Sequence, residues 1–112
     1  MPRSESLGQF EQLVLTAVVT LGEDAYGVTI HKKVQELALS KTGTLGAIYV
    51  TLDRLEDKGY VSSSLSEPTP ERGGRAKRCY RIEGAGERAL KQSIATARRI
   101  ARSIEPVWGD PT

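Results

Sequence analysis

The sequence predicts a mainly α-helical domain with one small antiparallel β-hairpin and a long helix at its C-terminal end. Three observations predict it. Apolar residues recur at helical spacing in three successive segments, about 9–21, 26–39 and 45–58. A serine-rich segment, a loop with two prolines and a Gly-Gly pair, and a return segment then follow, as in a hairpin. Finally, Leu90, Ile94, Ala97, Ala101, Ile104 and Trp108 alternate spacings of four and three, a heptad seam. A chain of 112 residues fits a single domain.

The first helix carries Phe10, Leu13, Val14, Ala17, Val18 and Leu21, so apolar groups cover much of its circumference and it should be largely buried. Gly22 is placed to end it. Residues 23–27 turn into the second helix, whose stripe is Ile30, Val34, Leu37 and Ala38. Residues 40–43 break that pattern, and Thr44 can cap the third helix through its hydroxyl. That helix turns Leu45, Ile48, Leu52 and Leu55 inward and Gly46, Val50, Asp53, Arg54 and Asp57 outward, with Ala47 and Tyr49 on its flanks. Gly59 ends it. Residues 60–67 favour a strand, 68–75 form the loop, and 77–82 return as the partner strand. Gly84 and Gly86 read as a loose entry to the last helix, expected over 85–107. The expected organisation is 1–84 as the main unit, 85–108 as a dimerisation helix within the same domain, and 109–112 as a tail.

Composition excludes several function classes. The chain is 38% hydrophobic, 27% charged and 5% aromatic, enough for a core and too apolar for a disordered tail. There is no window of 18 unbroken apolar residues and no secretory h-region near residue 1, so a cytoplasmic (bacterial, nucleoid-associated) location without a membrane partner is expected. One cysteine, Cys79, and one histidine, His31, cannot build a zinc site or an internal disulfide. Asp53 with Glu56 or Asp57 reads as charged helix surface, His31 has no nucleophile beside it, and there is no phosphate loop or dinucleotide fingerprint. Cys79 lies among basic residues, which leaves either a redox-sensing or an inert thiol. No enzyme, metal or cofactor is expected.

The net charge of +2 hides a segregation. Residues 1–71 carry six Lys/Arg and ten Asp/Glu, whereas residues 72–102 carry ten Lys/Arg and two acids. Such asymmetry points to a polyanionic partner, with a solvated basic helix as the plainer account. Three helices followed by a hairpin is the order of a winged helix-turn-helix, in which the second helix crosses the phosphate backbone and the third enters the major groove. The hairpin tip, with Arg72, Arg75, Lys77 and Arg78 around Gly73 and Gly74, would be the wing. Glycine lets backbone approach a phosphate closely, and arginine suits phosphate and narrow minor grooves.

The chain resembles the PadR family of bacterial winged-helix transcription regulators over about residues 7–108. The resemblance is carried by LGQFEQLVL at 7–15, AYG at 25–27, LGAIYVTLDRLEDKG at 45–59, EPTPERGGRAKR at 67–78 and YRI at 80–82. It implies a homodimeric repressor on a roughly palindromic, inverted-repeat duplex operator, modulated in some members by a small hydrophobic or aromatic effector. Family members often carry threonine where Glu83 stands; a carboxylate there can still favour the helix N-terminus. Only one helix follows the wing, as in the shorter members.

For Tyr49 the resemblance implies a DNA contact, and its hydroxyl suits a phosphate; the alternative is a half-buried ring packed under the wing. Gly46, Ala47 and Val50 are small enough for close groove approach and for thymine methyls, or form an ordinary solvent-facing patch. Arg54 is the one cation of that face. Lys41 and Thr44 are secondary phosphate candidates, Thr44 being a cap first. The basic wing residues lead the site, because phosphate contacts dominate affinity. Leu90, Ile94, Ala97, Ala101, Ile104 and Trp108 are the expected dimer interface. Trp108 either anchors that interface or, as the resemblance implies for some short members, walls an effector pocket. The rival function is a winged-helix protein-interaction module without operator specificity.

Overall fold

The computed structural model describes residues 7–66 and 76–109. The elements run α1 (Gln9–Leu21), a single 3-10 turn (Gly22–Asp24), α2 (Gly27–Ala38), α3 (Leu45–Asp57), β1 (Val61–Leu65), β2 (Arg78–Ile82) and α4 (Gly84–Trp108). The wing-tip residues Arg72, Gly73, Gly74 and Arg75 lie outside the described residues. The predicted fold class holds, with each element within two residues of its expected bounds at most ends.

Helix α1 is the centre of the body and packs on α2, α3, α4 and β2. That is why Leu15, outside the stripe read from the sequence, is fully buried with Val14, Ala17 and Val18. Around it gather Ile30 and Val34 of α2, Ile48, Leu52 and Leu55 of α3, Val61 and Tyr80 of the hairpin, and Leu90 of α4. Two residues of the expected stripes stay outside. Leu37 is 42% exposed in the last turn of α2, and Leu45 is 36% exposed in the first turn of α3. Both sit at helix ends that flank the connection between α2 and α3.

The ends are specified locally. The Thr44 hydroxyl accepts from the Ala47 N–H at 3.0 Å, the expected cap of α3. Helix α3 closes with paired bonds from the Gly59 N–H to the Glu56 carbonyl and from the Tyr60 N–H to the Leu55 carbonyl, a Schellman ending. Between α2 and α3, Gly43 adopts φ +72°, and a Cβ there would stand 2.8 Å from the Phe10 ring. His31 Nε2 donates to the Gly43 carbonyl at 3.2 Å, which fixes this connection onto α2.

The hairpin is antiparallel, in register from Val61 opposite Ile82 to Leu65 opposite Arg78. Its far side is held by a link that periodicity did not disclose. The Tyr80 N–H donates to the Ala25 carbonyl at 2.8 Å, and Tyr26 forms a bridge with Cys79. The wing root is thus hydrogen-bonded to the entry of α2.

One expectation about the start of α4 needs correcting, and another is refined. Gly86 does not loosen the entry: it is buried, and a Cβ there would collide with the Tyr60 carbonyl oxygen, so glycine lets α4 press against the start of the hairpin. Glu83 is the N-cap residue, but its side chain makes no cap bond. Its carboxylate accepts from the Ser62 hydroxyl at 2.6 Å, tying the cap to β1. Helix α4 spans 25 residues, about 37 Å at 1.5 Å per residue. Leu90 is the last of them in the core, and the remainder extends past the body. Pro106 lies inside the last turns and has no N–H to offer the Arg102 carbonyl. Among the described residues no helix is long and apolar enough to cross a membrane.

Candidate nucleic-acid interface

The candidate surface grows from the outward face of α3. Its inward face, Ile48, Leu52 and Leu55, is fully buried, which fixes the rotation of the helix about its axis. Gly46, Val50, Asp53 and Arg54 are therefore turned to solvent, as the spacing predicts. Val50 is 56% exposed and Tyr49 41% exposed, while Ala47 is half-buried. Thr44 and Lys41 are exposed at the helix entry, with the Thr44 hydroxyl occupied by its cap bond.

Tyr49 packs on α2. Its hydroxyl end lies over Gly27, where any Cβ would overlap it. This is a use for Gly27 that the sequence reading did not assign. The first turn of α2 and the flank of α3 thereby meet edge to edge.

Lys77 closes the same corner. Its ammonium sits 3.7 Å from the centroid of the Tyr26 ring, a cation–π contact. Tyr26 is the N-cap residue of α2, and its N–H donates to Thr29 Oγ1 at 3.0 Å. A basic residue at the wing root is thus drawn to the positive end of a helix dipole, where anions are favoured. Sequence reasoning missed Tyr26; the signal available was an aromatic residue just ahead of a helix start, opposite a basic strand. Arg78 is exposed on β2 and donates from Nη1 to the Ser63 hydroxyl at 2.9 Å. Ser63 in turn donates to Glu56 Oε2 at 2.9 Å, so α3, β1 and β2 share one chain of hydrogen bonds.

Gly46, Tyr49, Val50 and Arg54 are exposed on α3, with Ala47 half-buried beside them and Lys41 and Thr44 exposed at the helix entry; Tyr49 over Gly27 and Lys77 on Tyr26 link that helix and the wing root to the first turn of α2. The clustering of Lys77 with Tyr26 and of Arg78 with Ser63 fixes where the wing leaves the body. Behind the surface, Lys58 at the C-terminal end of α3 pairs with Glu11 of α1 at 3.0 Å. Burial pushes the Glu11 carboxyl upward, but the Gly8 N–H and the Lys58 ammonium outweigh it and hold the group below its ordinary value. Burial raises the Tyr80 phenol above its usual value, partly countered by Arg78.

The residues expected to pair two copies are distributed differently. Leu90 is taken up by the protomer's own core at 8% exposed. Ile94 is 40% and Trp108 79% exposed, Ala97 is exposed, and Ala101 and Ile104 are half-buried. Ile100, beside the seam, is 60% exposed.

A family model described as the transcriptional regulator PadR-like family matches residues 14–92. The fold is similar to a PadR family transcription regulator from Clostridium difficile, at 24% identity and a TM-score of 0.72, over 88% of this chain and 97% of that one. It is similar to a PadR-like transcriptional regulator from Bacillus cereus, at 17% identity and a TM-score of 0.72, over 90% and 92%. It also matches a part of the Aeropyrum pernix ORC1 protein, solved in complex with DNA, at 24% identity and a TM-score of 0.63, over 83% of this chain and 26% of that one. No curated protein sequence matches the chain.

Proposed function

The chain belongs to the PadR-like family of transcriptional regulators, and from that premise we propose that it is a homodimeric repressor of a double-stranded operator built as an inverted repeat. The observation that carries the reading is the corner where α2, α3 and the wing root meet. It presents a helix with a stripped outer face beside Lys77, which is anchored on Tyr26. In this reading α3 lies in the major groove and the wing follows the neighbouring backbone. Arg72, Arg75, Lys77 and Arg78 contact phosphates, with Gly73 and Gly74 allowing close approach, and Lys41 and Thr44 add contacts at the helix entry.

Two such surfaces are linked through α4. Ile94, Ala97, Ala101, Ile104 and Trp108 pair with the same residues of a second copy, while Leu90 secures the base of the helix. The apolar exposure of Ile94 and Trp108 favours this, because a surface helix with one apolar stripe otherwise leaves it in water. A small hydrophobic or aromatic effector enters beside Trp108 and shifts the spacing of the two wings. The protein acts in the cytoplasm on chromosomal DNA.

The test is selection of bound sites from random duplexes, followed by affinity measurement over a range of salt. An inverted repeat should emerge, with binding that falls steeply as salt rises yet stays well above that for random DNA. Binding without any preferred sequence would favour the protein-interaction reading instead.

A further inference from the structure

Resting on the reading of the chain as a duplex-DNA binder, we propose that α3 reads pyrimidine 5-methyl groups, so that Val50 and Ala47 select thymine and accept 5-methylcytosine in its place. The N-terminal part of a recognition helix is the part that meets base edges. In α3 that part exposes Gly46, Tyr49 and Val50 and leaves Ala47 half-buried at their edge. None of these is a carboxamide or a cation, the side chains that pair with adenine and guanine edges. The Thr44 hydroxyl is already bonded to the Ala47 N–H, and the Tyr49 hydroxyl end leans over Gly27. Arg54 follows Gly46 by eight positions, about 12 Å along the axis.

What remains at the leading face is hydrocarbon. Val50 is more exposed than Leu45 or Tyr49, at 56%. Gly46 strengthens the case. A Cβ there would meet only Thr44 Oγ1 at 3.7 Å, an ordinary contact. Alanine would therefore fit and would favour the helix by about 1 kcal/mol. Packing within the protomer gives no reason for glycine, whereas a surface that must come very close to α3 does. The apolar feature on the major-groove floor is the thymine methyl, and cytosine lacks it. A face that touches the methyl, and not the exocyclic oxygen or amine, distinguishes cytosine from thymine but not 5-methylcytosine from thymine.

The experiment uses the full chain and its selected duplex, read by fluorescence anisotropy. Thymines are replaced one at a time by deoxyuridine. One or two positions per half-site should bind about fourfold more weakly, the ~0.8 kcal/mol of one methyl-sized group removed from water at 1.4 kcal/mol per tenfold. At those positions cytosine should also weaken binding, and 5-methylcytosine should restore most of it. Val50→Ala, at an exposed site with its melting temperature checked, should reduce the uracil penalty to under about twofold. Equal binding of the uracil duplexes, or an undiminished penalty in Val50→Ala, overturns the methyl assignment while DNA binding stands. A sensitive cytosine that ignores methylation would overturn it too, in favour of Asp53 reading the amine. Failure to prefer any duplex over random DNA would overturn the functional reading first and this inference with it.

Discussion

The body of the molecule and the outer part of α4 use similar apolar periodicity to opposite ends. In the body, Ile48, Leu52 and Leu55 of the α3 stripe are fully buried. Beyond Leu90, no residue of the α4 stripe is buried, with Ile94 at 40% and Trp108 at 79% exposed. Periodicity states which face is apolar, not what covers it. Coverage depends on neighbours, and the protomer's own core takes in no buried residue of α4 beyond Leu90.

Paired substitutions break the comparison most sharply. Leu52→Ala opens a cavity at a site with no exposure and should lower unfolding free energy by about 3 kcal/mol, within the usual range of about 2–5 for such truncations. Urea denaturation measures it. Ile94→Glu should leave the folded body nearly unchanged by far-UV circular dichroism, yet shift the species seen by sedimentation from a pair to a single protomer. A charge in an apolar seam cannot be buried without a partner. A pair that survives Ile94→Glu would move the interface elsewhere; a body that melts with it would mean that the outer half of α4 stabilises its own protomer.

A smaller effect tests the tie behind α3. The Glu11 carboxylate accepts from Gly8 at 2.9 Å and from Lys58 at 3.0 Å. Since its folded pKa is depressed, its stabilisation is complete above the ordinary glutamate range and is lost as pH falls through the lowered value. Glu11→Gln keeps the shape and removes the charge. It should cost about 1 kcal/mol at neutral pH, and the gap to the unaltered protein should close as pH drops below the glutamate range. A gap independent of pH would assign the loss to packing instead.

The helices, the hairpin and the outward face of α3 were legible in the sequence because each rests on local spacing, breakers or a cap. Thr44 is an example: hydroxyl, position and apolar pattern together specify its bond. The corner that organises the candidate surface was not legible. Tyr26 meeting Lys77, Gly27 yielding to Tyr49, and Tyr80 hooking onto Ala25 each join residues far apart in the chain. No local period encodes such meetings. Glu83 stands at the helix N-terminus as the resemblance implied, but a nonlocal partner, Ser62, takes its carboxylate. Leu90 was read with the seam, because spacing alone cannot tell a residue covered by its own body from one left for another.

The finest contrast within the body concerns how α2 and α3 end. Helix α3 ends with Gly59 at φ +77°, where glycine is at ease. Helix α2 ends with Leu39 at φ +55°, a left-handed conformation that L side chains resist. The Leu39 side chain is 91% exposed, so it recovers little by packing. Its N–H still serves the helix end, bonding to the Glu36 carbonyl at 3.3 Å, and glycine would keep that bond. Leu39→Gly should therefore raise stability by about 0.5–1 kcal/mol, even after the added backbone freedom of the unfolded chain is counted. Thermal melting of the two proteins side by side measures it. A loss of stability would mean that Leu39 is covered in the assembled protein, and would place that leucine on an interface beside the α2–α3 connection.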